Sequence, residues 1–131
     1  MTNIKNLITI FLKPFIWLCL MCYGFYTPPK ELPKVGFINI PHFDKIVHFI
    51  LFFVLCFLLF KPLKKIKLHY IIISASAISL MLAGFFEITQ QMVTASRSSN
   101  LNDFLANAAG ILSAVIVYYF FISDKKLEKY I

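Results

Sequence analysis

At 131 residues, 60% hydrophobic and 17% aromatic against only 15% charged, the chain is far too apolar for a water-soluble domain of its length. Its formal charge of +7 needs no nucleic acid to explain it, because membrane topology and contact with anionic lipid headgroups account for an excess of lysine in such a sequence. An integral membrane protein remains, and its continuous rather than alternating apolar runs argue against a barrel.

Four apolar stretches follow in order, residues 8–26, 46–60, 68–86 and 104–122, each near the roughly 20 residues a helix needs to cross the hydrocarbon core. The first is preceded by Lys5 and interrupted by Lys13 and Pro14, lacks a small-residue cleavage pattern, and is read as a retained helix rather than a signal peptide. It carries Cys19 and Cys22, which with Cys56 make an odd set of thiols inside apolar segments, read as packing residues and not as a disulfide framework. The loop that follows holds Pro28, Pro29, Pro33 and Pro41 and is expected to run extended across the membrane surface.

The second stretch is the shortest and reaches spanning length only if its helix starts by Asp44, which brings Asp44 and His48 onto one face, four residues apart. Asp44 suits the first turn of a helix, and it is equally a ligand candidate. His48 lies a turn inside an apolar run, where an imidazole needs both a donor and an acceptor. The third stretch has small residues at Ser76, Ser79, Ala83 and Gly84, which suit close helix approach. It leads into Glu87, Gln90 and Gln91, expected to line one face with an acid and amides. The loop beyond contains Arg97, the only arginine among thirteen basic residues, fitted either to grip a carboxylate or phosphate of a ligand or to lock the loop to Glu87 or Asp103. Asn100 and Asp103 have the spacing of a variant capping box. Asp103, Asn107, Gly110 and Ala114 then form one stripe, in which Asn107 should bond to a neighbouring helix and Gly110 should let that helix come close.

Nine basic residues (Lys5, Lys13, Lys61, Lys64, Lys65, Lys67, Lys125, Lys126 and Lys129) fall on one side of the four segments, against Lys30, Lys34, Lys45 and Arg97 on the other. The positive-inside rule then places both termini in the cytoplasm and turns the polar residues outward. The expected fold is all-α, a single domain over residues 1–131 with transmembrane helices at about 8–26, 44–61, 68–91 and 101–122, in the cytoplasmic membrane.

Taken together, Asp44-Lys45-x-x-His48-Phe49-x-x-Phe52, Glu87-x-x-Gln90, Arg97-Ser98 and Asp103-x-x-x-Asn107-x-x-Gly110 resemble the signature of the VanZ-like family, over residues 41–122. The resemblance implies a small bacterial membrane protein related to one that confers low-level resistance to the glycopeptide teicoplanin, although family members also occur away from resistance clusters. It supplies no reaction. The chain departs from the pattern before Arg97, where Val93 to Ser96 replace a proline often found there. Carried over, the residues expected to bind a ligand are Asp44, His48, Glu87, Gln90, Arg97, Asp103 and Asn107.

Three functions compete. The first is binding of a polar or anionic headgroup at the outer leaflet, from a membrane lipid, a cell-wall lipid precursor or a lipoglycopeptide, favoured by Arg97 and the two helix N-termini that converge there. The second is an intramembrane hydrolase or transferase with Glu87 or His48 as general base, for which the chain offers no nucleophile motif. The third is a purely structural polar lock. A metal-dependent variant would use Asp44, His48, Glu87 and Asp103, a set better suited to manganese or magnesium than to zinc. His42 lies in the loop and His69 on the opposite side, so neither a metal nor a cofactor is assigned.

Overall fold

The computed structural model describes residues 3–27, 42–93 and 101–123. They form four helices, α1 (Ile4–Tyr26), α2 (Phe43–Lys65), α3 (Ile71–Val93) and α4 (Leu101–Val117), and α4 runs on as a π-helical turn over Tyr118–Ile122. The spans are 22 or 23 residues long, about 34 Å at the α-helical rise, enough to cross a hydrocarbon core of roughly 30 Å. Residues such as Ile4, Phe15, Tyr23, Met81, Phe85 and Leu112 stand exposed on the outside of the bundle. In water that surface would aggregate, whereas in lipid it is the expected exterior.

Three helix boundaries differ from expectation, each for a local reason. α1 starts at Ile4 rather than near residue 8 and passes through Pro14 without breaking. α2 continues to Lys65 instead of stopping near 61, because its buried face repeats through Phe52, Leu55, Cys56, Leu59, Phe60 and Leu63. That 3- and 4-residue rhythm outlasts the apolar run, and lysines fill only the outer positions. α3 begins at Ile71 instead of 68, because the preceding residues close the end of α2: Lys67 N–H donates to Lys64 O at 2.9 Å and Leu68 N–H to Leu63 O at 3.2 Å. This pair of bonds is a Schellman motif, and it puts Lys67 in the left-handed region at φ 58°. A residue with a Cβ is strained there by about 1–2 kcal/mol. Lys67→Gly is therefore expected to raise thermal stability in mild detergent by about 0.5–1 kcal/mol, after the extra freedom glycine gives the unfolded chain is deducted.

The helices run up and down, so the ends of α1 and α3 meet the starts of α2 and α4 at one end of the bundle. Tyr26 OH lies 2.6 Å from Thr89 Oγ1 there. α2 and α4 share the broadest interface, and α1 is peripheral, with Pro14, Met21 and Phe25 its buried residues. Gly110 explains the α2–α4 contact: a Cβ at that position would run into the Phe49 carbonyl oxygen and stand 3.0 Å from the Phe53 nitrogen. Backbone approaches backbone where glycine leaves room, as close-packed membrane helices require. Gly84 plays no such part, with open space around it; on α3 the buried small residues are Ala75, Ser79 and Ala83. Trp17 anchors α1 by donating its indole N–H to Leu51 O at 3.0 Å.

Candidate polar site

His42, which precedes α2, is a left-handed residue at φ 62° whose carbonyl accepts the Lys45 and Ile46 N–H groups at 3.0 and 3.3 Å. Asp44 therefore stands in the first turn, where a helix favours negative charge, and Asp103 holds the matching place in α4. Lys45 reaches across from α2 to Asp103 Oδ1 at 3.2 Å. One turn deeper, His48 is only 2% exposed. Its Nδ1 lies 3.0 Å from Asn107 Oδ1 on α4, and its Nε2 faces Asp44 Oδ1 at 3.9 Å, too far for a hydrogen bond.

α3 supplies the third wall. Glu87 is buried, its Oε1 accepting from Asn107 Nδ2 at 3.2 Å and lying 3.6 Å from His48 Nδ1. Glu87 Oε2 is buried without a partner. Below the network the rings of Phe25, Phe52 and Phe86 pack around one another, and Phe25 meets the His48 ring at a centroid distance of 5.0 Å. This aromatic layer separates the polar end from a core that is apolar but for the buried Ser79 hydroxyl, and that reaches down to Phe60 stacked on Tyr118 at 4.1 Å. Asp44, Glu87 and Asp103 are the acidic residues among the described ones, and all three converge here. Two basic groups, Lys45 and His48, face them.

The expectation of one shared polar cluster agrees with this geometry for Asp44, His48, Glu87, Asp103 and Asn107. The inward stripe of α4 is also found, with Asp103, Asn107, Gly110 and Ala114 all buried. Gln90 is buried beside the cluster and its amide donates to Phe25 O at 3.2 Å, a tie to α1. Gln91 turns outward and is exposed, so the polar face of α3 is narrower than the spacing suggested. Arg97 and Asn100, and with them the arginine grip and the capping box, lie outside the described residues. All three cysteines are free thiols, with Cys56 buried in the core and Cys19 exposed. Lys45, which stands in the family motif and counts towards topology, was not carried over as a site residue; its place beside Asp44 at the start of a helix was the available signal. Phe25 and Tyr26 were missed too, and nothing in an apolar run marks the residues that will close a site on another helix.

A family model described as VanZ/LLP1 matches residues 3–122. The chain belongs to the VanZ/LLP1 family. The match includes α1 as well as the motif-bearing helices α2 to α4, so the VanZ/LLP1 unit is the whole four-helix bundle and not only the polar segments. Comparison with curated proteins and with solved structures returned no match. This VanZ/LLP1 chain is thus a membrane protein of four apolar helices whose acidic side chains, among the described residues, meet at one end.

Proposed function

We propose that this VanZ/LLP1 protein binds the polar headgroup of an amphiphile at the polar end of its bundle, and that this end faces outward from the cytoplasmic membrane. One observation carries the reading: a connected set of buried ionisable and amide side chains, His48, Glu87, Asp103 and Asn107, inside a bundle whose exterior is apolar. Such groups are expensive at membrane depth and are kept there for function more often than for packing. The lysine distribution supports the outward orientation. Headgroups of membrane lipids and of cell-wall lipid precursors fit the location, and so does a lipoglycopeptide that buries an acyl tail. Retention of such a molecule near the outer leaflet is the route by which the protein would lower teicoplanin susceptibility.

The test is native mass spectrometry of mildly solubilised protein incubated with a polyprenyl phosphate. The wild type is expected to keep a one-to-one adduct that Arg97→Ala and Glu87→Gln lose by tenfold or more in occupancy. Adducts of equal occupancy in all three proteins would remove the site from this role.

A second reading starts from the Glu87–His48 pair, whose 3.6 Å approach would have to shorten to about 3 Å for the carboxylate to orient the imidazole. As a general base the pair would serve a hydrolase or transferase acting on a lipid-linked substrate. Product release from such a substrate, abolished in Glu87→Gln, is the result that would favour it.

A further inference from the structure

The headgroup reading leaves a conflict of charge. A pocket walled by Asp44, Glu87 and Asp103 repels an anion, and only Lys45 and His48 oppose them among the described residues. We infer that Asp44, His48 and Asp103 form a divalent-cation site, and that the cation supplies the positive charge to which an anionic headgroup binds. This inference rests on the headgroup reading for its second half only.

Three observations carry it. One ligand atom from each of Asp44, His48 and Asp103 lies within 4.8 Å of the others. Two ligand atoms on one ion, each about 2.1 Å from it, stand roughly 3.0–3.4 Å apart, so side-chain rotations of about an ångström close the set. The second observation is the state of His48. The Glu87 carboxylate accepts from Asn107 Nδ2, so the amide presents its oxygen to His48 Nδ1 at 3.0 Å. That oxygen requires a proton on Nδ1. In the neutral imidazole Nε2 is then a bare lone pair, and it is the atom aimed at the carboxylates.

The third observation is that, on a residue 98% buried, Nε2 has no hydrogen-bond partner among the described residues and faces the Asp44 oxygen, itself an acceptor, at 3.9 Å. A lone pair facing carboxylate oxygens calls for a cation between them. An acceptor behind the far ring nitrogen is also the usual support of a metal-bound imidazole, which it orients and makes more basic. Here Asn107, held in turn by Glu87, is that support, and it is a positioning residue rather than a ligand.

One nitrogen with two carboxylates suits Mn²⁺ or Zn²⁺ better than Ca²⁺. Three protein ligands leave coordination positions open. Asp44, whose side chain is 56% exposed, sits at the mouth, where phosphate or carboxylate oxygens of an incoming headgroup would complete the shell. The chief opponent of the cation is the Lys45 ammonium on Asp103 Oδ1, which leaves the second oxygen of that carboxylate for the ion.

Mn²⁺ alone is the first probe, titrated into chelator-treated protein in detergent and followed by loss of the free-ion resonance. The wild type is expected to take up one equivalent saturably. Asp44→Asn, a change at an exposed position that leaves the fold intact, and Asp103→Asn should each weaken uptake tenfold or more. Lys45→Gln should tighten it several-fold, a gain that a merely structural cluster would not produce. Absence of saturable uptake by the wild type, or equal uptake by Asp44→Asn, overturns the site. Polyprenyl phosphate retained by chelated protein with no Mn²⁺ uptake overturns it while the headgroup reading stands. Mn²⁺ uptake lost in Asp44→Asn upholds it, even if no amphiphile is retained and the headgroup reading falls.

Discussion

Gly110→Ala is expected to destabilise the bundle by about 2 kcal/mol. The new methyl group would be driven into the Phe49 carbonyl oxygen and against the Phe53 nitrogen, and these are backbone atoms that cannot rotate aside as the end of a long side chain would. α2 and α4 must part instead, along the broadest interface in the protein. Overpacking of this kind costs about 1–3 kcal/mol, and the upper end applies because separation also loosens the Asn107–His48 bond one turn away. Alanine's better helix propensity returns up to about 1 kcal/mol, so the clash wins. Gly84→Ala is the matched control: it gains the same propensity with nothing within 4 Å of the added carbon. Thermal unfolding in mild detergent should therefore move down for Gly110→Ala and stay level or rise for Gly84→Ala. Equal shifts in both would mean that the close approach at Gly110 is not what holds α2 to α4.

The Asn107→Leu substitution is expected to cost slightly more, about 2–3 kcal/mol. Leucine shares asparagine's branched outline and number of side-chain heavy atoms, so it is the nearest apolar replacement for the amide. Two bonds vanish, to His48 Nδ1 and to Glu87 Oε1. Hydrogen bonds inside membrane bundles average only about 0.6 kcal/mol, with a ceiling near 1.7, so their direct loss is the smaller part. The larger part is what stays behind. His48 and Glu87 would remain buried with a donor and an acceptor unmet, and each orphaned group costs about 1–3 kcal/mol unless water or a new partner reaches it. The pair is close enough, at 3.6 Å, to recover some of this by rotating together. A double-mutant cycle with Glu87→Leu separates the parts: removing the stranded carboxylate should restore stability to the Asn107→Leu protein. Additive losses in that cycle would show that Asn107 and Glu87 do not act as one unit.

Much of this architecture was legible in the sequence, because the lipid environment imposes a simple requirement. A helix that must satisfy its own backbone bonds in hydrocarbon announces itself by about twenty apolar residues; α1, α3 and α4 did so, and α2 did once Asp44 and His48 were taken into its first turns. The α4 stripe was legible for a related reason: Asp103, Asn107, Gly110 and Ala114 recur at helical spacing, and a carboxylate and an amide on one face of an otherwise apolar segment turn that face inward. The polar set was recognisable as a group because each of its members was costly where it stood.

Boundaries were less legible, since lysines at Lys61, Lys64 and Lys65 look like a loop until the buried rhythm through Leu63 is seen to continue beneath them. Helix count, family and five members of the polar cluster (Asp44, His48, Glu87, Asp103 and Asn107) could be read from the residues alone, because burial periodicity and the cost of charge in lipid are local properties of a segment. Contacts between helices set the rest: Asn107 stands between His48 and Glu87, Lys45 crosses to Asp103, Gln90 of α3 ties the site to Phe25 of α1, and Gly110, not Gly84, carries the closest approach. Those are relations between helices, set by how far each is rotated and translated against its neighbours, and a pattern of period 3.6 along one helix carries no information about the register of another.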